Sequence, residues 1–405
     1  MSEHHVHVPE VRRRRGRVRS FLIAVVGVAV AGVGAAACAP EPAPTPTACP
    51  ARTEVSLEPA DPVYFSIPRA VSTDGEWLVA SRVVGTDLDL ALRRTGTSSS
   101  STPVGSLPFA SVLAGTLLVS VPTDGSQVVF GTAGTAATED APQTTLSRWR
   151  AATGSVSDLP VPVVTSPPPG VPYPMNAFAL SADGRRVLWR QSFLEDPEGP
   201  EPPGFHHVLV VTDAATDAVL STVVDTSPVG APTSDGSVLL DGYRLISTAT
   251  GAVTDLAADA SAALAAFPGT ELYATGISDN LRYLAFRRFD ATQVPGVQSY
   301  VVWDRTGGTG RVALQMQTTG QPGQPQLQFN AVTPSGSLLA TRWVSRHDLG
   351  EVVESHPTAG VLTVATEATE LTPQFSWMVA TPDGRTVVTS RQDLVGRQLV
   401  AHRCA

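Results

Sequence analysis

The sequence predicts an all-β fold, and three observations lead to that prediction. Short turns that contain Asp-Gly or a close substitute recur along most of the chain. Each turn runs into a segment rich in Val, Leu, Trp and Thr, with the alternating or wholly apolar pattern of buried strands. Helical periodicity is nearly absent, and residues 255–267 could form either a short helix or an Ala-rich connection. The chain is therefore expected to fold into many short strands.

The turn phrases define seven units, with a spacing of about 50 residues that is typical of propeller blades. Gly adopts positive φ without a Cβ clash and Asp bonds to the backbone ahead of it, so each phrase closes a tight hairpin. In the fifth phrase Asn280 is expected at the Gly position, and in the sixth Ser335 replaces Asp. The phrases are STDGEWLVASR from 72, PTDGSQVVFGT from 122, SADGRRVLWRQ from 181, TSDGSVLLDGY from 233, ISDNLRYLAFR from 277, TPSGSLLATRW from 333 and TPDGRTVVTSR from 381.

Most units contain a second hairpin after the first. Examples are LSRWRAATGSVSDL, LVVTDAATDAVLST and YVVWDRTGGTGRVAL, each of which is strand, turn, strand. Two hairpins supply four antiparallel strands, which is the content of one propeller blade. The sequence thus predicts a seven-bladed β-propeller of four-stranded antiparallel blades over residues 53–405.

The repeat resembles that of TolB-like and WD40-like (PD40-type) propellers, in which Ser-Pro-Asp-Gly precedes an apolar strand. TPDGRTVV is the most similar phrase, and the pattern extends over residues 55–404. The resemblance implies a bacterial propeller protein that engages protein partners, and it carries no statement about catalysis.

The last unit offers three strands, so one strand of its blade is missing. The resemblance implies that the N-terminal segment 53–57, TEVSL, fills this place beside residues 397–403. Antiparallel pairing would then set Cys49 next to Cys404. A disulfide that closes the ring is expected, with two free thiols as the alternative.

Residues 1–37 have the layout of an export signal, with six Arg followed by an apolar, Gly- and Ala-rich run from Phe21 to Ala37. The phrase AAAC that ends at Cys38 resembles a bacterial lipobox, although Ala35 stands where Leu is usual. We expect lipidation of Cys38 and anchoring to the outer face of the bacterial cell membrane. Ordinary cleavage with secretion and a retained signal anchor are the alternatives, and each places the domain outside the cytoplasm.

Residues 38–52 are rich in Pro and are expected to form an extended tether. The whole chain carries a net charge of −9, and removal of residues 1–37, with six Arg and two Glu, leaves a net charge of −13. Nucleic acid is therefore not expected as a partner, because the negatively charged mature domain would repel it. A monomer is expected.

The long connections between strands should all lie on one face of the disc, and such loops are where recognition usually occurs. The third unit stands out, because the acidic segment that begins at Glu195 is followed by two His residues. Solvated acids are the simpler interpretation, so no metal site is predicted. The predicted partner-binding residues are Tyr173, Phe193, Glu195, Phe205, His206, His207 and Phe289.

No catalytic motif emerges: the sequence lacks G-x-S-x-G, H-E-x-x-H, C-x-x-C and a phosphate-binding loop. No catalytic residue and no cofactor are predicted. The leading hypothesis is a membrane-tethered module that binds another protein of the cell envelope. A propeller enzyme (lyase, lactonase, glycosidase or quinoprotein type) and a sensor of small ligands or carbohydrates are the alternatives.

Overall fold

The computed structural model describes residues 49, 51–57, 67–96, 101–134, 144–195, 204–224, 226, 230–265, 267, 272–290, 296–318, 326–343, 349–368, 378–392 and 397–404. These residues belong to one compact unit, Thr45–Ala405. The predicted signal peptide, the lipidation site Cys38 and most of the tether lie outside them.

Seven antiparallel sheets follow one another along the chain, and we number them as blades one to seven. Blade one contains β2 (Ile67–Val71), β3 (Trp77–Val84), β4 (Asp87–Arg94) and β5 (Thr102–Pro108). Blade two contains β6 (Gly115–Ser120), β7 (Gln127–Gly134), β8 (Thr145–Arg150) and β9 (Ser155–Asp158). Blade three contains β10 (Val171–Pro172), β11 (Asn176–Leu180), β12 (Arg186–Leu194), β13 (Phe205–Asp213) and β14 (Val219–Val224). Blade four contains β15 (Ala231–Pro232), β16 (Val238–Asp241), β17 (Arg244–Ser247) and β18 (Val253–Asp255).

The remaining blades keep the same strand order. Blade five contains β19 (Leu272–Ile277), β20 (Tyr283–Asp290), β21 (Gly296–Asp304) and β22 (Thr309–Thr318). Blade six contains β23 (Gln326–Val332), β24 (Leu338–Trp343), β25 (Leu349–His356) and β26 (Gly360–Ala368). Blade seven contains β27 (Met378–Ala380), β28 (Thr386–Gln392) and β29 (Arg397–Cys404), with β1 (Arg52–Ser56) as its outermost strand.

The first strand of the chain completes the last blade, as predicted. β1 runs antiparallel to β29, with Arg52 opposite Cys404 and Ser56 opposite Val400. Arg52, assigned to the tether from sequence, is part of this strand. Its Nη2 lies 2.7 Å from Glu354 Oε2 of blade six, and both side chains are less than 10% exposed. The N-terminal strand is therefore held by blade six as well as by its own blade.

The core is divided among the blade interfaces. The described residues form seven apolar clusters, one between each pair of consecutive blades. The cluster with Val71 and Leu78 of blade one also contains Val388 and Leu399 of blade seven. Because this interface is packed like the other six, the ring is closed. The seven-bladed fold predicted from the repeats is confirmed.

The Asp-Gly turns join the first and second strands of each blade. In blade seven Thr381 donates its hydroxyl hydrogen to Asp383 at 2.7 Å, and Asp383 accepts from the N–H of Arg385 at 2.9 Å. Gly384 follows Asp383 with φ of +71°. Its position is tight, because a Cβ would lie 2.7 Å from Thr333 Cγ2 of blade six. Gly is thus required here both for its φ and for the close approach of the neighbouring blade.

The fifth turn differs from the prediction. Asn280 does not take the Gly place: it accepts hydrogen bonds from the Ser278 hydroxyl and from the N–H of Arg282, as the Asp does in other blades. Leu281 occupies the Gly place with φ of +56°. The error came from aligning Asp279-Asn280 with the Asp-Gly pair of the other turns. Ser278 opens this turn, so Asn280 takes the Asp place and the next residue takes the Gly place.

Two short helices lie in connections between blades. α1 (Phe109–Ala114) links blades one and two, and it was not predicted. α2 (Ala257–Ala263) links blades four and five, in the stretch that the sequence left open between helix and connection. Ala260 and Leu264 bury this segment against blade five.

Candidate functional site

The ends of the disc differ, and we call them the turn face and the loop face. The turn face carries the seven turns between first and second strands. The loop face carries the connections between second and third strands and between blades, as the antiparallel strand order requires. Much of the loop face lies outside the described residues. In blade three, both strands of the central hairpin are described to their loop-face ends.

Blade three projects beyond blade four on the loop face. β12 and β13 each have nine residues and pair along their full length, whereas β16 and β17 each have four. Both hairpins begin two residues after their turn glycine, so the difference lies entirely at the loop face. At about 3.3 Å per residue, the blade-three hairpin overhangs its neighbour by roughly 16 Å.

The described residues of blade four do not reach the overhanging part of one flank of blade three, the flank that faces blade four. Leu209 and Val211 on this flank pack against blade four. Further along the same flank, Phe205 is 48% exposed. Its ring is stacked 6.1 Å from that of His207 and lies 5.9 Å from that of Tyr173. We call Tyr173, Phe205 and His207 the blade-three aromatic patch.

The patch is held in place by its strands. Tyr173 donates its backbone N–H to Ser192 O at 2.8 Å, and Ser192 Oγ lies 2.9 Å from His207 Nδ1. Burial, with the positive charge of Arg190 as a further cause, lowers the pKa of His207. His207 is therefore neutral at pH 7 and acts as an aromatic surface with one polar edge. The patch is a rigid, mostly apolar surface.

The other predicted site residues whose side chains are described lie on the opposite flank of blade three. His206 points to the flank that faces blade two, where its Nε2 lies 2.8 Å from Glu195 Oε1. Phe193 is 2% exposed and packs in the core shared by blades two and three, so its assignment to a partner surface was wrong. Successive side chains of β12 point to opposite flanks, so Phe193 points away from the flank of Ser192 and into this core. The side chain of Phe289 lies outside the described residues.

No group of three or more His, Cys, Asp or Glu side chains within the described ranges could hold a metal ion. The further acids of the predicted loop, Asp196, Glu198 and Glu201, lie outside those ranges.

The central channel is the second candidate site. The third residue before the Ser, Thr or Pro that opens each turn contributes to the lining of the channel cavities in all seven blades. We call these residues the channel ring: Arg69, Val119, Phe178, Gly230, Thr275, Asn330 and Met378. In blades one, three, five and six the strand pairing shifts by one residue at this position, so that the extra residue is the ring residue itself. Such bulges redirect side chains, which here brings them to the channel.

Two adjoining cavities of about 390 and 360 Å³ occupy the channel. Both are lined by Leu180, Phe329 and Asn330, and the turn residue Ala182 also contributes to both. The cavities therefore lie toward the turn face, which the sequence did not single out. Their size is within the range of small-molecule sites.

Cys49 and Cys404 are bonded to each other, with their Cα atoms 5.6 Å apart. The bond lies directly before β1 and at the end of β29.

These features define the class of protein: a seven-bladed β-propeller closed by its own N-terminal strand. No protein-family model and no curated protein matches the sequence. Among solved structures, the chain is similar to oligogalacturonate lyase from Vibrio parahaemolyticus, with a TM-score of 0.49 and 10% identity over 87% of this chain and 97% of that one. It is similar to the propeller domain of the Trilobed protease from Pyrococcus furiosus, with a TM-score of 0.46 and 10% identity over 84% and 92% of the two chains. TolB from Acinetobacter baumannii gives a TM-score of 0.32 and 10% identity, over 86% of this chain and 54% of that one. These similarities concern the architecture alone.

None of the helices within the described ranges combines the length and the hydrophobicity that crossing a membrane requires.

Proposed function

We propose that this propeller is a protein-binding module of the bacterial cell envelope, exported and tethered at Cys38, and that the blade-three aromatic patch is its main contact surface. One observation carries the proposal: the overhang of blade three exposes Phe205 beside Tyr173 and His207 where the short blade four leaves room. Aromatic side chains on rigid strands are effective anchors, because few rotamers must be fixed on binding.

The surroundings of the patch favour a protein partner. Val171, 48% exposed, pairs with Leu194 and extends the apolar surface of the patch. Arg190 and Arg244 lie on or beside the same flank, so a partner can place polar or acidic groups at the rim. A partner strand or loop can enter the space above blade four. Export is supported by the basic and apolar segments of residues 1–37, and a disulfide suits an oxidising compartment.

Site-specific photo-crosslinking in living cells tests the proposal. A photoreactive amino acid at Val171 should capture a defined partner, whereas the same amino acid at Val361, which is 50% exposed on blade six, should not. Phe205→Ala should lower the affinity for the captured protein at least about tenfold, since anchors of this kind contribute more than about 1.4 kcal/mol. Val361→Ala is the matched control and should leave the affinity unchanged.

Equal capture from both positions, or no effect of Phe205→Ala, would refute the patch as the contact surface. Fractionation tests the location separately: the protein should be in the membrane fraction, and Cys38→Ser should release it. Recovery of the intact chain from the cytoplasm would refute export.

A further inference from the structure

A partly buried Arg lies beside the blade-three aromatic patch. Arg190 follows Leu188 on β12 by two positions, and the pairing of β12 with β13 is uninterrupted, so both side chains point to the flank that faces blade four. Arg190 is paired with Leu209, two positions from His207 of the patch. Its guanidinium carbon lies 5.9 Å from the centre of the Phe178 ring, a cation–π contact. Among the described residues, no hydrogen bond and no ion pair engages this guanidinium.

The N–H groups of this guanidinium are open to solvent. Side-chain polar atoms that are closed to solvent and lack a partner occur elsewhere in the described part of the chain, but none of them belongs to Arg190. The residue is nevertheless only partly exposed, and burial lowers its pKa because the cation has lost hydration. A cation that has lost hydration without gaining a counter-charge favours an anion supplied from outside. Arg190 is therefore both accessible to a ligand and suited to a negative one.

The hairpin of blade four ends at the level of Arg190. Arg190 is the sixth residue after the turn glycine of blade three, and the sixth residue after the turn glycine of blade four is Gly242, which lies in the turn between β16 and β17. A Cβ on Gly242 would meet nothing within 4 Å, so the space at this turn is open. We call the space bordered by Arg190, Gly242 and the blade-three aromatic patch the blade-four notch.

The charged groups at the notch leave a positive excess. Asp241 is the last residue of β16, and its carboxylate is bound by the guanidinium of Arg244. The pKa of His207 is lowered by burial, and Arg190 lowers it further while Asp241 raises it, so both charges lie near His207. Because His207 is neutral at pH 7, the two Arg and the one Asp carry one net positive charge. This excess contrasts with the negative charge of the chain as a whole.

We propose that the blade-four notch selects a partner segment in which an Asp or Glu side chain stands next to an apolar residue, with the carboxylate on Arg190 and the apolar residue on Phe205. The inference rests on the proposed function and names the chemistry of its partner. A planar guanidinium with free N–H groups matches a carboxylate in geometry, and one net positive charge balances one carboxylate. Because Gly242 has no side chain, the segment can lie close to the turn of blade four.

Selection from a phage-displayed library of random peptides, with the purified full-length protein as bait, tests this inference. The selected peptides should carry Asp or Glu beside an apolar residue, and the same selection on the Arg190→Met protein should not enrich acids. The most strongly enriched peptide is then synthesised with both ends blocked, together with a twin in which the acid is replaced by its amide. The twin should bind the wild-type protein about tenfold more weakly or worse, because it loses a charge-assisted hydrogen bond.

Variants of the protein locate the carboxylate. Arg190→Met keeps an apolar stem beside Phe178, and it should weaken binding of the acidic peptide about tenfold or more while leaving the affinity of the twin unchanged. Arg185→Met removes an Arg of the turn face whose side chain is 77% exposed, and it should change neither affinity. Phe205→Ala should weaken both peptides. The pKa of His207, followed by NMR, should be higher with the acidic peptide than with its twin, because the carboxylate offsets the charge of Arg190.

The inference is overturned if no peptide is enriched, if the selected peptides show no preference for acids, or if the acidic peptide and its twin bind alike. It is also overturned if Arg185→Met weakens binding as much as Arg190→Met, because attraction to surface charge would then explain the result. An equal pKa of His207 in the two complexes would place the carboxylate elsewhere and would overturn it too. Loss of binding in Phe205→Ala together with any of these last results leaves the proposed contact surface intact, whereas peptides indifferent to Phe205→Ala would refute both.

Discussion

The contact between turn glycines and the preceding blade leads to a sharp prediction about stability. Gly384 of blade seven and Gly360 of blade six both have positive φ, +71° and +75°. A Cβ at Gly384 would lie 2.7 Å from Thr333 Cγ2 and 3.3 Å from Leu339 Cδ1, whereas nothing lies within 4 Å of a Cβ at Gly360. Substitution by Ala should therefore carry the same backbone cost at both positions. Only at Gly384 should it add a steric clash with the neighbouring blade.

The expected magnitudes follow from these distances. A non-Gly residue in this region of φ costs about 1–2 kcal/mol, offset by about 0.4–1 kcal/mol because Ala restricts the unfolded chain. Gly360→Ala should thus lower the free energy of unfolding by about 1 kcal/mol. Gly384→Ala adds overpacking against blade six, which costs about 1–3 kcal/mol. Its total should be about 2–4 kcal/mol.

Urea denaturation with the disulfide intact measures both variants, and Thr333→Ser supplies the control. Ser keeps the hydroxyl that accepts from the N–H of Ser337 and removes Cγ2. In the Thr333→Ser background the cost of Gly384→Ala should fall by about 1 kcal/mol, while the cost of Gly360→Ala stays the same. Equal costs for the two Gly variants in the native background would refute the role assigned to the contact.

Three more predictions concern ring closure and buried charge. The double variant Cys49→Ser, Cys404→Ser removes a bond that closes a loop of 355 positions. Reductant should lower the free energy of unfolding of the wild type by up to about 5–6 kcal/mol and should leave that of the double variant unchanged. Glu354→Gln leaves Arg52 buried without its carboxylate and should cost about 3–5 kcal/mol in denaturant unfolding, and a smaller loss would mean that water reaches the pair. Burial lowers the pKa of His356, so the folded state resists protonation, and stability should fall as the pH drops below about 6.5. His356→Asn should flatten that fall, and an unchanged pH profile would show that other groups cause it.

The repeats were sufficient to predict the number of blades and the closing strand, because a tight turn followed by an apolar strand has a strong sequence pattern. Arg52 was assigned to the tether because its partner, Glu354, is 302 positions away, and no local pattern signals such a pair. Leu281 was missed because a Leu at positive φ breaks the rule on which the alignment depended.

The candidate sites were less predictable. Phe205 and His207 were identified from their loop, but Phe193 was not separated from them, since its inward direction depends on strand register. The patch is exposed because the strands of blade four are short. This depends on how two blades compare in length, which the residues of blade three alone do not reveal. The channel ring is in principle visible in the sequence as a column three residues before each turn. Its significance becomes clear only when the bulges place that column at the channel.

Closure by β1 has a consequence for the order of folding. β1 is the first of the described strands in chain order, yet its partner β29 is the last of them. Blades one to six can form as the chain emerges, while the strand made first must wait without a neighbour. The ring therefore stays open until β29 has been synthesised, and premature oxidation of Cys49 with another thiol would prevent its bond to Cys404.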